Sequence, residues 1–222
     1  MGTPDSPHAA EQADRERHAL RAQLWVRAHH EAAHAVVGTL LGGRVTGAAI
    51  WPGPPMSGRV VLTGLDDGPD AGTAPDQFVL VRRIVYVLAG PIAEQIAGGM
   101  GMIANEPASR VAAMLLEGVR DQTAPGQPPE GQPADGLPAD ILTVVGLLLD
   151  HFGPDGEAEL AAAVDHLPLH VENLLRERWS AIEMIVVSLL RHGRLTEDQF
   201  RTLFAEALPG AEMAALLDPS SA

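Results

Sequence analysis

Five consecutive residues, His30-Glu31-Ala32-Ala33-His34, have the types and spacing to hold a metal ion and act on a water beside it. On a helix, positions four apart share one face at about 5–6 Å, so both imidazoles can reach a single ion. Glu31 lies one residue round from His30, where a carboxylate can take a proton from a metal-activated water without itself ligating the metal. The HExxH spacing is thus that of zinc-dependent peptidases. Two solvent-facing histidines on a polar stripe would give the same letters, but the neighbours argue against that. Ala32, Ala33, Ala35, Val36, Val37, Leu40 and Leu41 make this part of the helix small and apolar nearly all round, which predicts burial. Buried histidines with a glutamate between them need partners, and a metal supplies one. Glu31-x-x-His34 is also half of a di-iron bundle site, but such a site needs a second Glu-x-x-His pair, and the chain has none.

Composition narrows the remaining donors. All 15 basic residues are arginine, and the absence of lysine excludes a Walker A loop, Schiff-base chemistry and a Ser-Lys dyad. With no cysteine, thiol nucleophiles, disulfides and cysteine zinc sites are excluded too. Histidine, aspartate and glutamate are left as ligands. The 29 acidic residues give a net charge of -14, which argues against nucleic-acid and anionic-membrane partners. The longest apolar runs, such as Ile84–Ala93 and Val144–Leu149, are well short of the ~20 residues that span a bilayer. Residues 1–8 lack the basic start and apolar core of a secretory signal, so the expectation is a cytoplasmic protein.

The elements around the motif follow from pattern. Residues 1–17 read as an exposed, charged helical lead-in opened by Ser6-Pro7, and 18–207 as a single domain, with a tail over 208–222. The motif helix runs from about His18 to Leu41 and stops at Gly42-Gly43. Arg44–Trp51 and Arg59–Thr63 are β-prone, with the turn formers Pro52–Gly58 between them. Asp66–Pro75 is an acidic loop. Phe78, Val81, Ile84, Val85, Leu88, Ile92 and Ile96 recur at helical steps, predicting a buried helix up to Gly98-Gly99. Asn105 and Pro107 open another helix with a stripe at Ala108, Val111, Ala112, Leu115 and Val119. Asp121–Ala139, rich in proline and glycine, reads as a flexible loop. A nearly all-apolar helix opens at Asp140 and is expected to pack beside the motif helix. Helices over Glu157–His166, about Leu169–His192 and Glu197–Ala207 complete the chain, the last with a Thr196/Gln199 capping box. His166 and His170 are four apart, but Pro168 between them disturbs helical spacing, so they read as surface residues. The fold class is mainly α with a small β-sheet, a zincin-like domain with an HExxH helix and a C-terminal helical bundle.

Four segments together resemble the peptidase domain of the FtsH-type ATP-dependent zinc metalloproteases, over about Leu24 to Leu203. They are His30–Gly38, with Ala33 at the family's usual glycine; Arg44–Gly64, similar to its active-site edge; Arg83–Glu94, similar to its leucine-alanine-glycine helix, with Pro91 at the usual arginine; and Ala139–Gly153. The resemblance implies that Asp140, first in its helix, is the third zinc ligand. A carboxylate is also favoured at any helix N-terminus, and Glu94 and Asp140 stand 46 positions apart, farther than in the family. Glu106, Glu117 and Asp121 are therefore the other candidates. Glu94 is expected to hold its helix against the motif helix. No ATPase domain or membrane anchor lies within these residues, so the resemblance implies a free-standing peptidase-like domain that cannot itself unfold a substrate.

The expected function is a zinc-dependent peptidase acting on peptides or unfolded chains, with Zn2+ on His30, His34 and Asp140, and Glu31 as general base. A substrate would lie extended beside Gly58–Thr63. The alternative is a metal-stabilised binding or adaptor module of the same fold. Self-assembly and docking of a separate ATPase are left open by the sequence.

Overall fold

The computed structural model describes residues 7–53, 57–65, 77–98, 107–123, 137–153 and 156–208. Lead-in and motif form one helix, α1 (Pro7–Leu40), because no glycine or proline interrupts the alanine-rich run between them. Its two halves differ in surroundings. Residues 11–23 are exposed, whereas 28–38 are buried on every side. The helix stops as expected: Gly42 takes φ 86°, Gly43 N–H donates to Gly38 O at 2.8 Å, and Gly42 N–H to Thr39 O at 3.0 Å. This pair of bonds is a Schellman closure, which needs a residue at ease with positive φ. Arg82 also donates to the Leu41 carbonyl, one of those the helix end leaves open.

Two antiparallel strands follow, β1 (Arg44–Trp51) and β2 (Ser57–Thr63), with a register shift between Val45 and Gly47. A third strand, β3 (Arg194–Thr196), pairs with the other side of β1 and gives the order β2-β1-β3. Sequence reading misses β3, since three residues are too few to display alternation. β2 is an edge strand whose residues alternate between exposed and half-buried.

The rest of the domain is helical: α2 (Gln77–Gly98), α3 (Pro107–Thr123), α4 (Ala139–Phe152), α5 (Glu157–Glu177), α6 (Trp179–His192) and α7 (Glu197–Ala207). Together with the sheet they make a mainly helical fold with one small antiparallel sheet. α2 is central. It lies along α1 on one side and against α4 and α5 on others, burying Ile84, Leu88 and Ile92 completely. Two expectations need correction. First, α4 packs on α2 and α3 rather than beside the motif helix, its buried Ile141, Val144, Val145 and Leu148 joining the core that the buried stripes of those two helices belong to. Second, α5 continues through Pro168, and the break falls at Arg178, with φ -107° and ψ 12°. Leu160, Val164, Val171 and Leu175 form one buried stripe across that proline, so packing outweighs the lost hydrogen bond, and the proline itself is buried. His166 and His170 are both exposed, as expected.

The capping box at α7 is present, with Thr196 N–H donating to Gln199 Oε1 at 2.9 Å. Helix occupies 121–123 and 139, so the proline-rich stretch is shorter than expected, and of its remainder 124–136 lie outside the described residues. So do Ser6, the acidic loop Asp66–Pro75, Asn105 and Glu106, and the tail from 209 on.

Candidate metal centre

His30 and His34 project from the buried half of α1, Glu31 beside them, and Asp140 reaches them from the first turn of α4. The Nε2 atoms of the two histidines are 3.0 Å apart. Asp140 Oδ2 lies 3.0 Å from His30 Nε2 and 3.9 Å from His34 Nε2. These three residues each offer one donor, and all three donors lie within 4.8 Å of one another, so the group could hold a metal ion. Among the described residues no other such group exists. Glu117 is exposed on α3 and outside it, Asp121 sits in the last turn of α3 with its side chain undescribed, and Glu106 is not described.

The other ring nitrogens set the tautomers. His34 Nδ1–H donates to the Tyr86 carbonyl at 2.9 Å, which leaves the Nε2 lone pair facing the cluster. His30 Nδ1 is 2.9 Å from Glu94 Oε1, at hydrogen-bond distance though its N–H is not aligned on that oxygen. With one lone pair fixed on His34, the 3.0 Å contact between the Nε2 atoms needs a proton on His30 Nε2 or a metal between them, and the Glu94 carboxylate beside His30 Nδ1 favours a second proton there. Burial works against a charge on His30, but Asp140 and Glu94 at its two nitrogens outweigh burial and raise its pKa to about 9. Asp140 shows the reciprocal effect. Burial pushes its carboxyl up, while the two histidines more than offset this and hold it well below the usual carboxylate range. A protonated His30 between these two carboxylates would take the place that a bound metal ion could take.

Two glycines make room for it. α2 passes so close to the histidines that a Cβ at Gly90 would lie 2.5 Å from His34 Nε2 and 2.6 Å from His30 Nε2. A Cβ at Gly58 on β2 would lie 2.5 Å from Glu31 Cγ. These contacts give a physical reason for glycine at both positions. Glu31 lines the same cleft as His30, His34 and Asp140, and is buried yet outside the donor group. Burial raises its carboxyl above the ordinary range, against the pull of His30, His34 and Arg27. A base so placed holds a proton more readily than a free glutamate does.

Glu94 links α2 to the motif helix, as expected, and does so at a candidate ligand: it contacts His30 and lies 3.7 Å from Arg27 Nη1. Arg27 is also 3.7 Å from Glu31 Oε1. Sequence reading overlooks Arg27, although its place four residues before Glu31 is an i,i+4 signal. The Tyr86 carbonyl could not have been found, because a backbone acceptor leaves no trace in residue type. His29 is a further surprise. It is fully buried, its ring stacked at 5.2 Å on Trp179 and its Nδ1–H donating to Trp25 O at 2.8 Å, and burial lowers its pKa. It wedges α1 against α6 and takes no part in the cluster.

Comparison with known proteins returns no matching family and no matching curated protein, so the functional reading rests on the geometry of the site. No helix among the described residues is long and apolar enough to cross a membrane.

Proposed function

We propose that this chain is a zinc-dependent, zincin-like peptidase of the FtsH-type kind, acting on peptides or unfolded polypeptides in the cytoplasm. The observation that carries the reading is the convergence of His30, His34 and Asp140, with Glu31 buried beside them but outside the donor group. Two imidazoles and a carboxylate with an open side are a donor set suited to catalytic zinc. The His34 lone pair that faces the donors and the missing Cβ at Gly90, which would otherwise crowd both Nε2 atoms, fit a bound ion. Zinc there would polarise a water and the scissile carbonyl.

The chain's own groups supply the rest. Tyr86 O orients the His34 imidazole, and the Glu94 carboxylate lies against that of His30. Glu31 accepts the proton that the attacking water gives up and returns it to the departing amine, so that one water is consumed per bond broken. The raised affinity of Glu31 for a proton suits both transfers. The outer edge of β2, unpaired among the described residues, supplies backbone groups for an extended substrate next to Glu31.

The test is zinc content together with hydrolysis of an unstructured polypeptide, for wild type and Glu31→Gln. The variant keeps the shape and loses the base, so it should retain zinc and fall at least about 10²-fold in rate. Equal rates for the two zinc-loaded proteins on several unfolded substrates would replace the peptidase with the metal-stabilised binding module.

A further inference from the structure

The face of α1 that carries His30, Glu31 and His34 does not end at the metal centre. Ala22, Val26, His30 and His34 form one row at four-residue steps, and Gln23, Arg27 and Glu31 form the row beside it. Upstream of the histidines, these rows border a second hollow of about 360 Å³, lined by Ala22, Gln23, Val26, Arg27 and, from α2, Glu94. Its surface is almost wholly apolar. Arg27 and Glu94 line both this hollow and the metal cleft, so the two are adjoining parts of one groove.

We infer that this second hollow is a substrate subsite that takes an apolar side chain a few residues from the scissile bond. The inference rests on the peptidase reading and gives it a specificity. Position along the helix sets the distance. Val26 and Gln23 lie five and eight residues before Glu31, about 8–12 Å along the helix axis. An extended chain advances about 3.3 Å per residue, so the hollow is reached two to four residues from the bond at the metal. The direction is right as well. Gly58 of β2 sits against Glu31 and Leu62 against Gly38, so the strand runs alongside α1, and a chain paired with its edge and continued past Gly58 heads towards Arg27 and Val26.

The chemistry of the lining selects the occupant. Val26 and Ala22 offer methyl groups and no polar atoms, while Arg27 and Glu94 are already 3.7 Å from one another and neutralise each other at the entrance. A charged side chain entering would give up water for at most the uncharged Gln23 amide, whereas a leucine- or phenylalanine-sized group gains by leaving water. A hollow of this size is at the small end of ligand pockets and suits one side chain rather than a folded partner. Segments with such residues are exposed in unfolded polypeptides and hidden in folded ones.

Peptide hydroxamates test this, because the hydroxamate ligates the metal and so fixes the register of the peptide. Glycine-serine peptides carrying the group at either end, with leucine, glycine or aspartate placed two, three or four residues away, would be titrated into zinc-loaded protein by calorimetry. At one spacing, leucine should bind about ten-fold tighter than glycine, and aspartate no tighter than glycine. Ala22→Trp, a change at an exposed helix position, should fill the hollow and bring the leucine preference to within about two-fold. Ala22→Glu should do the same through charge, which separates the effect from misfolding. Hydroxamates that bind with no leucine preference at any spacing, or a preference that both variants retain, overturn the subsite and leave the peptidase reading intact. A leucine preference in a protein that hydrolyses no peptide supports the subsite and overturns the peptidase. If no hydroxamate binds at all, the metal reading fails and the subsite fails with it.

Discussion

Replacing Gly90 by alanine tests the metal centre without touching any ligand. The added methyl would stand 2.5 Å from His34 Nε2 and 2.6 Å from His30 Nε2, whereas ordinary contact begins at 3.4 Å. Each ring must therefore retreat by about 0.8–0.9 Å, several times the ~0.2 Å within which metal–ligand distances hold. His34 cannot follow freely, because its Nδ1–H is tied to the Tyr86 carbonyl on the same helix that carries Gly90. Zinc affinity should fall about 10²-fold, as when the groups behind metal ligands are removed. Overpacking should lower stability by about 1–3 kcal/mol. Gly146→Ala on α4 is the control: nothing lies within 4 Å of its Cβ position, and its φ is not positive. There the same substitution should stabilise by about 0.5–1 kcal/mol and leave zinc unchanged. Urea melts with and without zinc, beside chelator competition, measure both. Wild type and Gly146→Ala should gain stability from zinc, and Gly90→Ala should gain much less at the same zinc concentration. Undiminished zinc affinity in Gly90→Ala would mean that the ion binds elsewhere.

Asp140→Ala should lose at least about 10²-fold in zinc affinity, whereas Glu117→Ala should bind as wild type does; chelator competition on both decides between them. Gly58→Ala should keep zinc but displace Glu31, with a rate at least about tenfold lower on an unstructured peptide; an unchanged rate would mean the carboxylate is not the base. Since zinc must displace the second proton of His30, affinity should rise about tenfold per pH unit below about 9 and level off above it, and an affinity that does not change as pH approaches about 9 would refute a doubly protonated His30. The metal-free protein should show the matching stability profile. His30 has a folded-state pKa raised above its unfolded value, so its contribution is complete below about 6.5 and is lost as pH climbs through about 9, measurable by urea melts in the presence of chelator.

The residues of the centre were legible because their signals are local. His30, Glu31 and His34 sit within five positions of one helix, whose geometry alone brings their side chains to one face. The closure at Gly42-Gly43 and the Thr196/Gln199 box are equally local, each depending on residues three to five apart. Asp140 was a different matter. Nothing in its own neighbourhood distinguishes a ligand from a carboxylate favoured by a helix N-terminus, and only the resemblance singled it out. Arg27, Gly90 and the Tyr86 carbonyl depend on how α2 lies against α1, a relation between segments about 50 residues apart. The break between α5 and α6 was misplaced for the reverse reason: Pro168 is a strong local signal, and the long-range stripe from Leu160 to Leu175 overrides it.

The packing of α4 turns the third ligand into a structural question. Its apolar face rests on α2 and α3, and it reaches α1 through Asp140, at the very start of the helix. In the metal-free protein that connection is a contact with a protonated His30, which weakens as pH rises. An ion held by all three donors would replace it with bonds insensitive to that proton, tying the first turn of α4 to the motif helix. Zinc should therefore slow local opening at this turn more than elsewhere. Amide exchange over 137–152 reads it, because the Leu142 N–H is held by the Pro138 carbonyl at 3.2 Å and exchanges when the turn opens. At free zinc about 100 times its Kd, exchange there should slow by up to about 100-fold. α6, which packs on α1 with Trp179 stacked on His29, needs no metal for its attachment and should change far less. In Asp140→Ala the effect on α4 should disappear even where His30 and His34 still retain some zinc. Equal slowing of α4 in wild type and in Asp140→Ala would show that the ion's hold on α1 does not pass through this carboxylate.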